Sequence, residues 1–396
     1  MKKVTANDLA KKQRKISVAE FFEKNKHILG FGNPTRALVT SVKESVDNGL
    51  DACEEANILP DISVEIKNGD DNDIKLIVED NGPGIVKQQI KHIFGRLLYG
   101  SRFHQIRQSR GQQGIGISAV VLYSQLSTGK HAIITSKTNE DMPANVVELA
   151  INTNKNRAET IKTGSKHWDK SQGTRFEAEI IADYKRGRYF VYEYLQNTSI
   201  VNPHARIVFK EPDGTEHIFD RTAEQLPQES KEIKPHPHGV ELGTLIKMAK
   251  FTKSRKLSSF LKTEFSSMGD RATNEAIKQA GLEKDLKPSE MTRDQFRNLH
   301  KAFNKIKVMS PSTDCLSPIS EILIKRSLRY ETSEISPEFI ITSSRPASVY
   351  SGNPFKIEVG LVYGGNLPKE ENVKILRFAN RVPLLYQQGG CITTKA

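Results

Sequence analysis

In the stretch Lys43-Glu44-Ser45-Val46-Asp47-Asn48-Gly49-Leu50-Asp51-Ala52, polar and apolar residues alternate with a helical period. Wound at about 3.6 residues per turn, it sets Glu44, Asn48, Asp51 and Glu55 along one face. Val39, Val42, Val46, Leu50 and Cys53 fall on the opposite face, where they can seal against a core. A carboxylate, an amide and a second carboxylate in this spacing can hold a cation and orient a water. An ordinary solvated helix face has the same pattern, so the neighbouring stretches must decide.

Composition narrows the field. The 396 residues suffice for two or three domains, each with its own core, and 37% hydrophobic with 27% charged content describes a folded chain. A net charge of +12 favours a polyanionic partner, with nucleic acid ahead of membrane; a merely basic soluble protein has the same balance. Cys53, Cys315 and Cys391 are far apart and never form Cys-x-x-Cys, which excludes a disulfide framework or zinc site and predicts a reducing compartment. His236-Pro237-His238 lacks cysteine or carboxylate company and reads as linker. No apolar run approaches the about 18 residues of a membrane span, and no apolar signal core follows the basic N-terminus. The expectation is a cytoplasmic chain with no membrane partner.

Residues 1–15 are polar, and Ser17 can cap a short helix with Glu20 as its capping-box partner. Phe21 and Phe22 give this arm, residues 1–29, something to dock with, either on a second copy or on its own chain. Gly30-Phe31-Gly32-Asn33-Pro34 then breaks the chain before the long helix. Residues 62–66 and 74–79 alternate as strands about a polar turn and run into Asp80-Asn81-Gly82-Pro83-Gly84. A helical pattern through Ile90, Ile93, Phe94 and Leu97 follows. Residues 99–113, with Arg102, Arg107 and Arg110 and almost nothing to bury, read as a lid or a disordered loop. They end in Gly111-Gln112-Gln113-Gly114-Ile115-Gly116, ahead of an apolar helix. Strands over 131–136, 146–152 and 174–181, a helix over 189–198 and a hairpin over 206–210 and 216–219 complete an α/β sandwich with a mainly antiparallel sheet.

Residues 222–239 read as a linker. Helices over 241–251, 256–267, 270–280 and 291–306 follow, with Lys247, Lys250, Lys253, Arg255, Lys256 and Lys262 near their start. Such a module grips phosphates or serves as a solvated spacer. From residue 310 one helix and strands over 338–343, 356–362 and 374–378 form a third unit that looks unfinished, as expected of a truncated chain.

Two familiar nucleotide signatures are missing. There is no Walker pattern, since Ser124 stands where its first glycine belongs, and Gly111 to Gly116 follows a loop rather than a Rossmann strand. A glycine-rich turn opening a helix still offers free amides to an anion, though a plain turn looks the same. Asp80-x-Gly82-x-Gly84 at a strand end can accept a purine amino group beside a backbone bare enough for a flat ring. It can equally be a turn whose Asp bonds its own backbone.

The ordered set is more telling than its parts. Glu-x-x-x-Asn-x-x-Asp-Ala at 44–52, Asp-x-Gly-x-Gly at 80–84, Gly-x-x-Gly-x-Gly at 111–116 and Gly-Thr at 173–174 resemble the GHKL ATPase superfamily. That superfamily holds gyrase-type topoisomerases, a heat-shock chaperone family, histidine kinases and mismatch-repair ATPases. Residues 94–101, 114–125 and 234–239 are further similar to the B subunits of archaeal type IIB DNA topoisomerases (topoisomerase VI), over essentially the whole chain.

The resemblance implies an α+β architecture in four parts. An N-terminal arm (1–29) exchanged in a dimer precedes a GHKL (Bergerat) α/β sandwich (30–230). A small all-helical helix-two-turn-helix domain (231–309) and the start of an α/β transducer domain (310–396) follow. It implies ATP and Mg2+ as ligands, with Glu44 as the base for the attacking water and Asn48 as the metal ligand. Asp80 would take the adenine amino group, supported by Thr174, with Gly84 against the base. Gly111, Gly114, Ile115 and Gly116 would wrap the phosphates, Ser101 and Arg102 would stand at the lid edge, and Asp51 would support the site structurally. Lys253, Arg255 and Lys256 are the candidate DNA contacts. Implied partners are the topoisomerase VI A subunit in an A2B2 heterotetramer, a second copy in an ATP-dependent dimer, and double-stranded DNA in an archaeal nucleoid. The implied activity is gated passage of one duplex through a break made by the A subunit. Ser118 stands where some relatives carry lysine, and the family's transducer lysine falls past residue 396. Rival readings are a chaperone or mismatch-repair ATPase and a non-catalytic DNA-binding protein.

Overall fold

The structure, a computed structural model, describes residues 5–11, 13–70, 73–100, 105–111, 114–367 and 373–384. Helices α1 (Ala6–Ala10) and α2 (Val18–Lys24) lead the chain in. Ser17 caps α2 by accepting the Glu20 amide at 3.0 Å. The expected capping box does not form: the Glu20 carboxylate turns to the cations of Arg14, at 2.7 Å, and Lys24, at 3.0 Å. Val18, Ala19 and Phe22 pack on the first core, whereas Phe21 is exposed.

Helix α3 (Pro34–Glu55) starts where Asn33 accepts the Arg36 amide at 2.8 Å, with proline in its first turn. Leu38, Val42, Val46 and Leu50 are wholly buried, so the inner face is core as its period predicts. Then come β1 (Asp61–Asn68), β2 (Asp73–Asp80), α4 (Lys87–Gly95), α5 (Gly116–Thr128), β3 (Ala132–Lys137), β4 (Ala144–Asn152), β5 (Arg157–Lys166), β6 (Gly173–Ile181), α6 (Tyr184–Val201), β7 (Arg206–Lys210) and β8 (Glu216–Phe219). The strands form one 8-stranded sheet in the order β5-β4-β3-β6-β2-β1-β7-β8. β1 and β7 run parallel, and the other neighbours are antiparallel. Ile62, Val64 and Ile66 of β1 alternate inward toward the helices, which makes the predicted sandwich. Two differences stand out. Strand β5 has no inward alternation to read, because nearly every residue on this edge is exposed. Helix α6 is longer than 189–198: Tyr184 at its start is half-buried on the core, and Ile200 and Val201 at its end are buried.

A separate core, with Leu245, Phe260, Phe265, Leu299 and Phe303, holds α7 (Leu242–Phe251), α8 (Leu257–Glu264), α9 (Asp270–Ala280) and α10 (Arg293–Phe303) together. His236 and His238 meet the carbonyls of Met309 at 3.0 Å and Ile306 at 3.2 Å and so tie the preceding linker down.

The third unit has α11 (Glu321–Glu331), β9 (Phe339–Ser344), β10 (Ser348–Tyr350), β11 (Asn353–Phe355), β12 (Glu358–Tyr363), β13 (Phe378–Ala379) and β14 (Val382–Pro383). β9 pairs with β12 and β13 with β14. The strand expected over 374–378 is absent except for Phe378. Residues 374–377 join no ladder, and Lys374 reaches out to Glu193 of α6 at 3.4 Å. Among the described residues no helix is long and apolar enough to cross a membrane.

Candidate active site

Two clusters of candidate residues, one at each end of the predicted site, lie against α3. At the first end, the Glu44 carboxylate lies against the start of α5. A Cβ on Gly116, the first residue of that helix, would fall 1.9 Å from Glu44 Oε2. Glycine therefore lets a carboxylate approach the positive end of a 13-residue helix. Asn48 is exposed one turn further along α3. The Gly111 amide reaches Asp51 Oδ2 at 3.4 Å, which brings the glycine-rich segment over the same face. The Gly114 carbonyl accepts the Tyr99 amide at 3.2 Å, and Ile115 packs on the core just before α5. Ser101 and Arg102 lie outside the described residues.

Lys43 and Asp47 are site residues that sequence reasoning passed over. The Lys43 ammonium bridges Glu44 Oε1 and Asp47 Oδ2, both at 3.1 Å. Burial alone would lower its pKa, but the carboxylates of Asp47 and Glu44 hold it above the usual lysine range. Burial pushes the Asp47 carboxyl up against the pull of Lys43, and Tyr194 of α6 donates its hydroxyl to Asp47 at 2.9 Å. The i,i+4 spacing of Lys43 and Asp47 was the available signal. Tyr194, 147 residues away, gave none.

At the second end, the register of β2 against β6 sets Asp80 opposite Thr174. Asp80 Oδ1 accepts the amides of Gly82 at 2.9 Å and Thr174 at 3.2 Å. Asp80 thus bonds its own turn, as one of the two sequence readings has it, and is fixed from across the sheet as well. Burial pushes its carboxyl up to about 6, against the pull of those two amides. Gly84 has φ +70°, and a Cβ there would fall 2.1 Å from the Lys137 carbonyl oxygen. No side chain fits. Asp80 packs beside Gly49, the neighbour of Asn48, so α3 joins the two ends.

The segment leading into the glycines corrects the sequence reading of it as a loop with nothing to bury. Within 105–111, Arg110 has a side chain only 3% exposed. It pairs with Asp51 at 2.7 Å and Glu54 at 2.6 Å, and it donates to Asn202. Arg107 meets Glu55 at 2.9 Å. Ile106 bridges Ile233, and the Gln108 side chain exchanges hydrogen bonds with the backbone of Ser317. Opposite charges on the last turns of α3 anchor what length and polarity alone suggested was loose.

Lys253, Arg255 and Lys256 are exposed where α7 gives way to α8. Lys256 pairs at 2.7 Å with Asp285, itself exposed, so part of its charge is offset.

Residues 36–178 match the family model described as "Histidine kinase-, DNA gyrase B-, and HSP90-like ATPase". Residues 311–396 match "Topoisomerase VI B subunit, transducer". The type 2 DNA topoisomerase 6 B subunit of Methanosarcina acetivorans is 55% identical over 392 residues, 99% of this chain and 63% of that protein. Its counterpart in Archaeoglobus fulgidus is 55% identical over 97% of this chain and 63% of its own length. That of Natronomonas pharaonis is 34% identical over 98% and 71%. The chain thus spans 63% of the length of the first two of these relatives. With an ATPase-domain match, a transducer match and these identities, the chain belongs to the family of type 2 DNA topoisomerase 6 B subunits.

Proposed function

We propose that this chain binds and hydrolyses ATP, and that ATP joins two copies into a gate. With the topoisomerase VI A subunit in an A2B2 assembly, the gate passes one DNA duplex through a transient break in another. The observation that carries the reading is that α3 joins two clusters: Glu44 against the α5 terminus, and Asp80, held by the Gly82 and Thr174 amides, beside Gly49. An adenine amino group would donate to Asp80, near the Gly84 backbone, whose missing side chain lets the turn close on the Lys137 carbonyl. Phosphates would meet the amides of Gly111, Gly114, Ile115 and Gly116. Glu44, steadied by Lys43, takes the proton of the attacking water.

Among the described residues no three His, Cys, Asp or Glu side chains gather as a metal cage. An exposed amide such as Asn48 suits Mg2+, which keeps most of its waters and takes further ligands from phosphates. When bound, Mg2+ supplies charge neutralisation on the phosphates. Exposed Phe21 on α2 offers the arm a contact with the second copy.

Sedimentation with Mg2+ and a non-hydrolysable ATP analogue tests the gate: a monomer without nucleotide and a dimer with it is expected. A monomer under both conditions would refute nucleotide-driven dimerisation. Adenine-nucleotide affinity should weaken as pH falls through about 6, where Asp80 takes up its proton and loses its charge-assisted bond. Asp80→Asn should flatten that profile, measured by titration with a fluorescent nucleotide. The sign for stability is the opposite: a raised carboxyl pKa means the ionised form is disfavoured in the fold, so this group's cost is relieved as pH falls through about 6, where nucleotide affinity is lost.

For the DNA side, neutralising Lys253, Arg255 and Lys256 together should weaken duplex binding equally across sequences. It should also reduce the log–log salt slope by roughly 2–3. Sequence-selective loss would contradict a phosphate contact.

A further inference from the structure

On the last turn of α3, one carboxylate oxygen serves three partners from three parts of the chain. Glu54 Oε1 lies 2.6 Å from Arg110 Nη2, 2.7 Å from His204 Nε2 and 3.5 Å from Arg381 Nη1. Arg110 is tightly seated, because its other nitrogen holds Asp51 at 2.7 Å next to Gly111. Arg381 is not. Its Nη2 donates to Ser317 Oγ at 2.7 Å, but its buried Nε and Nη1 have no hydrogen-bond partner. A cavity of about 300 Å3 lies alongside, lined by Asp51, Glu54, Arg107, Arg110, Gln228 and Arg381.

The backbone points the same way. Arg381 sits in the turn between β13 and β14 with φ +63°, after Asn380 at +53°. A long side chain rarely takes that conformation unless its surroundings hold it there. What holds it belongs to the first unit: the Asn202 side chain donates to the Arg381 carbonyl at 3.2 Å, and the same amide accepts from Arg110.

Resting on the ATP reading above, we propose that Arg381 is a positioning residue that couples nucleotide occupancy to the third unit. It shares Glu54 and Asn202 with Arg110. Any shift of Asp51 and Gly111 toward a nucleotide draws on Arg110, which changes how much of Glu54 is left for Arg381. Arg381 has the room and the unmet hydrogen-bonding capacity to follow. Coupling of this kind is reciprocal, so the turn at 380–381 biases the nucleotide site in return.

The test is hydrogen exchange on the whole chain, with and without Mg2+ and a non-hydrolysable ATP analogue, alongside analogue affinity. In the unaltered chain, nucleotide should change exchange of residues 378–384 by at least about fivefold. Arg381→Gln should reduce that response below about twofold while changing analogue affinity by no more than about fivefold, the lower end of such couplings. If Arg381→Gln does not fold, Arg381→Lys asks the same question, since lysine keeps the charge and loses the fork. Failure of the unaltered chain to bind the analogue would overturn the ATP reading. Binding with no response at 378–384, or a full response in the Arg381 variants, would overturn the coupling alone.

Discussion

Replacing Glu44 with alanine should cut ATP turnover by about 100- to 10 000-fold, the usual range for loss of a general base. Nucleotide binding should survive, since the Asp80 end is untouched and the amides of Gly111 and Gly116 remain. Phosphate release measured beside a fluorescent-nucleotide titration separates the two. Turnover within tenfold of the unaltered chain would remove Glu44 from the base role. Gly116→Ala supplies a matched control. Its new methyl overlaps the tip of the Glu44 side chain, a flexible group that can swing aside. The chain should therefore fold, bind and fail to turn over, because the carboxylate has moved rather than vanished.

Arg110→Met should give the largest loss of stability. It leaves Asp51 and Glu54 in a half-dry site without their shared cation, and breaking such buried pairs costs about 3–5 kcal/mol. Glu54 keeps His204 and Arg381, so a loss near the lower end, about 3 kcal/mol, is expected, read from urea unfolding. Burial alone would raise the Glu54 pKa, but Arg110 foremost, with His204 and Arg381, holds its carboxyl well below the usual range. That stabilisation is complete above the unfolded value of about 4.3 and is lost as pH falls below it. The Arg110 variant should accordingly lose less stability between pH 5 and pH 3 than the unaltered chain. A neutral result at pH 7 would mean that the pair merely balances its desolvation.

Much of this arrangement is legible in the sequence, where a short period or a short motif carries it. The two faces of α3, the Asp80 turn and the glycines before α5 are local patterns, and the structure brings the turn and the glycines against α3. Strand β5 escapes such a reading because an edge strand exposed along nearly its whole length has no alternation to detect. The stretch 374–378 misleads for the opposite reason: Ile375, Leu376 and Phe378, with Lys374 and Arg377 among them, look like a strand, yet only Phe378 joins a ladder. Arg110 looks like a lid cation, since its partners Asp51, Glu54 and Asn202 lie 59, 56 and 92 residues away. Pairings at such separations leave no period in the sequence, and these are the ones that stitch the units together.

The bond from Tyr194 to Asp47 has a consequence for how the chain is made. Its ends are 147 residues apart. At about 5–20 residues per second, a ribosome spends roughly 7–30 s between them. Throughout that interval the long helix must wait with Asp47 uncapped and Leu38 and Val46 without α6 against them. β1, in turn, waits for β7 to add to its open side. The Glu44 edge of the site is thus synthesised early but locked in place only once about half of the chain has been made, and a nascent chain stalled before residue 194 would present it half-built to chaperones.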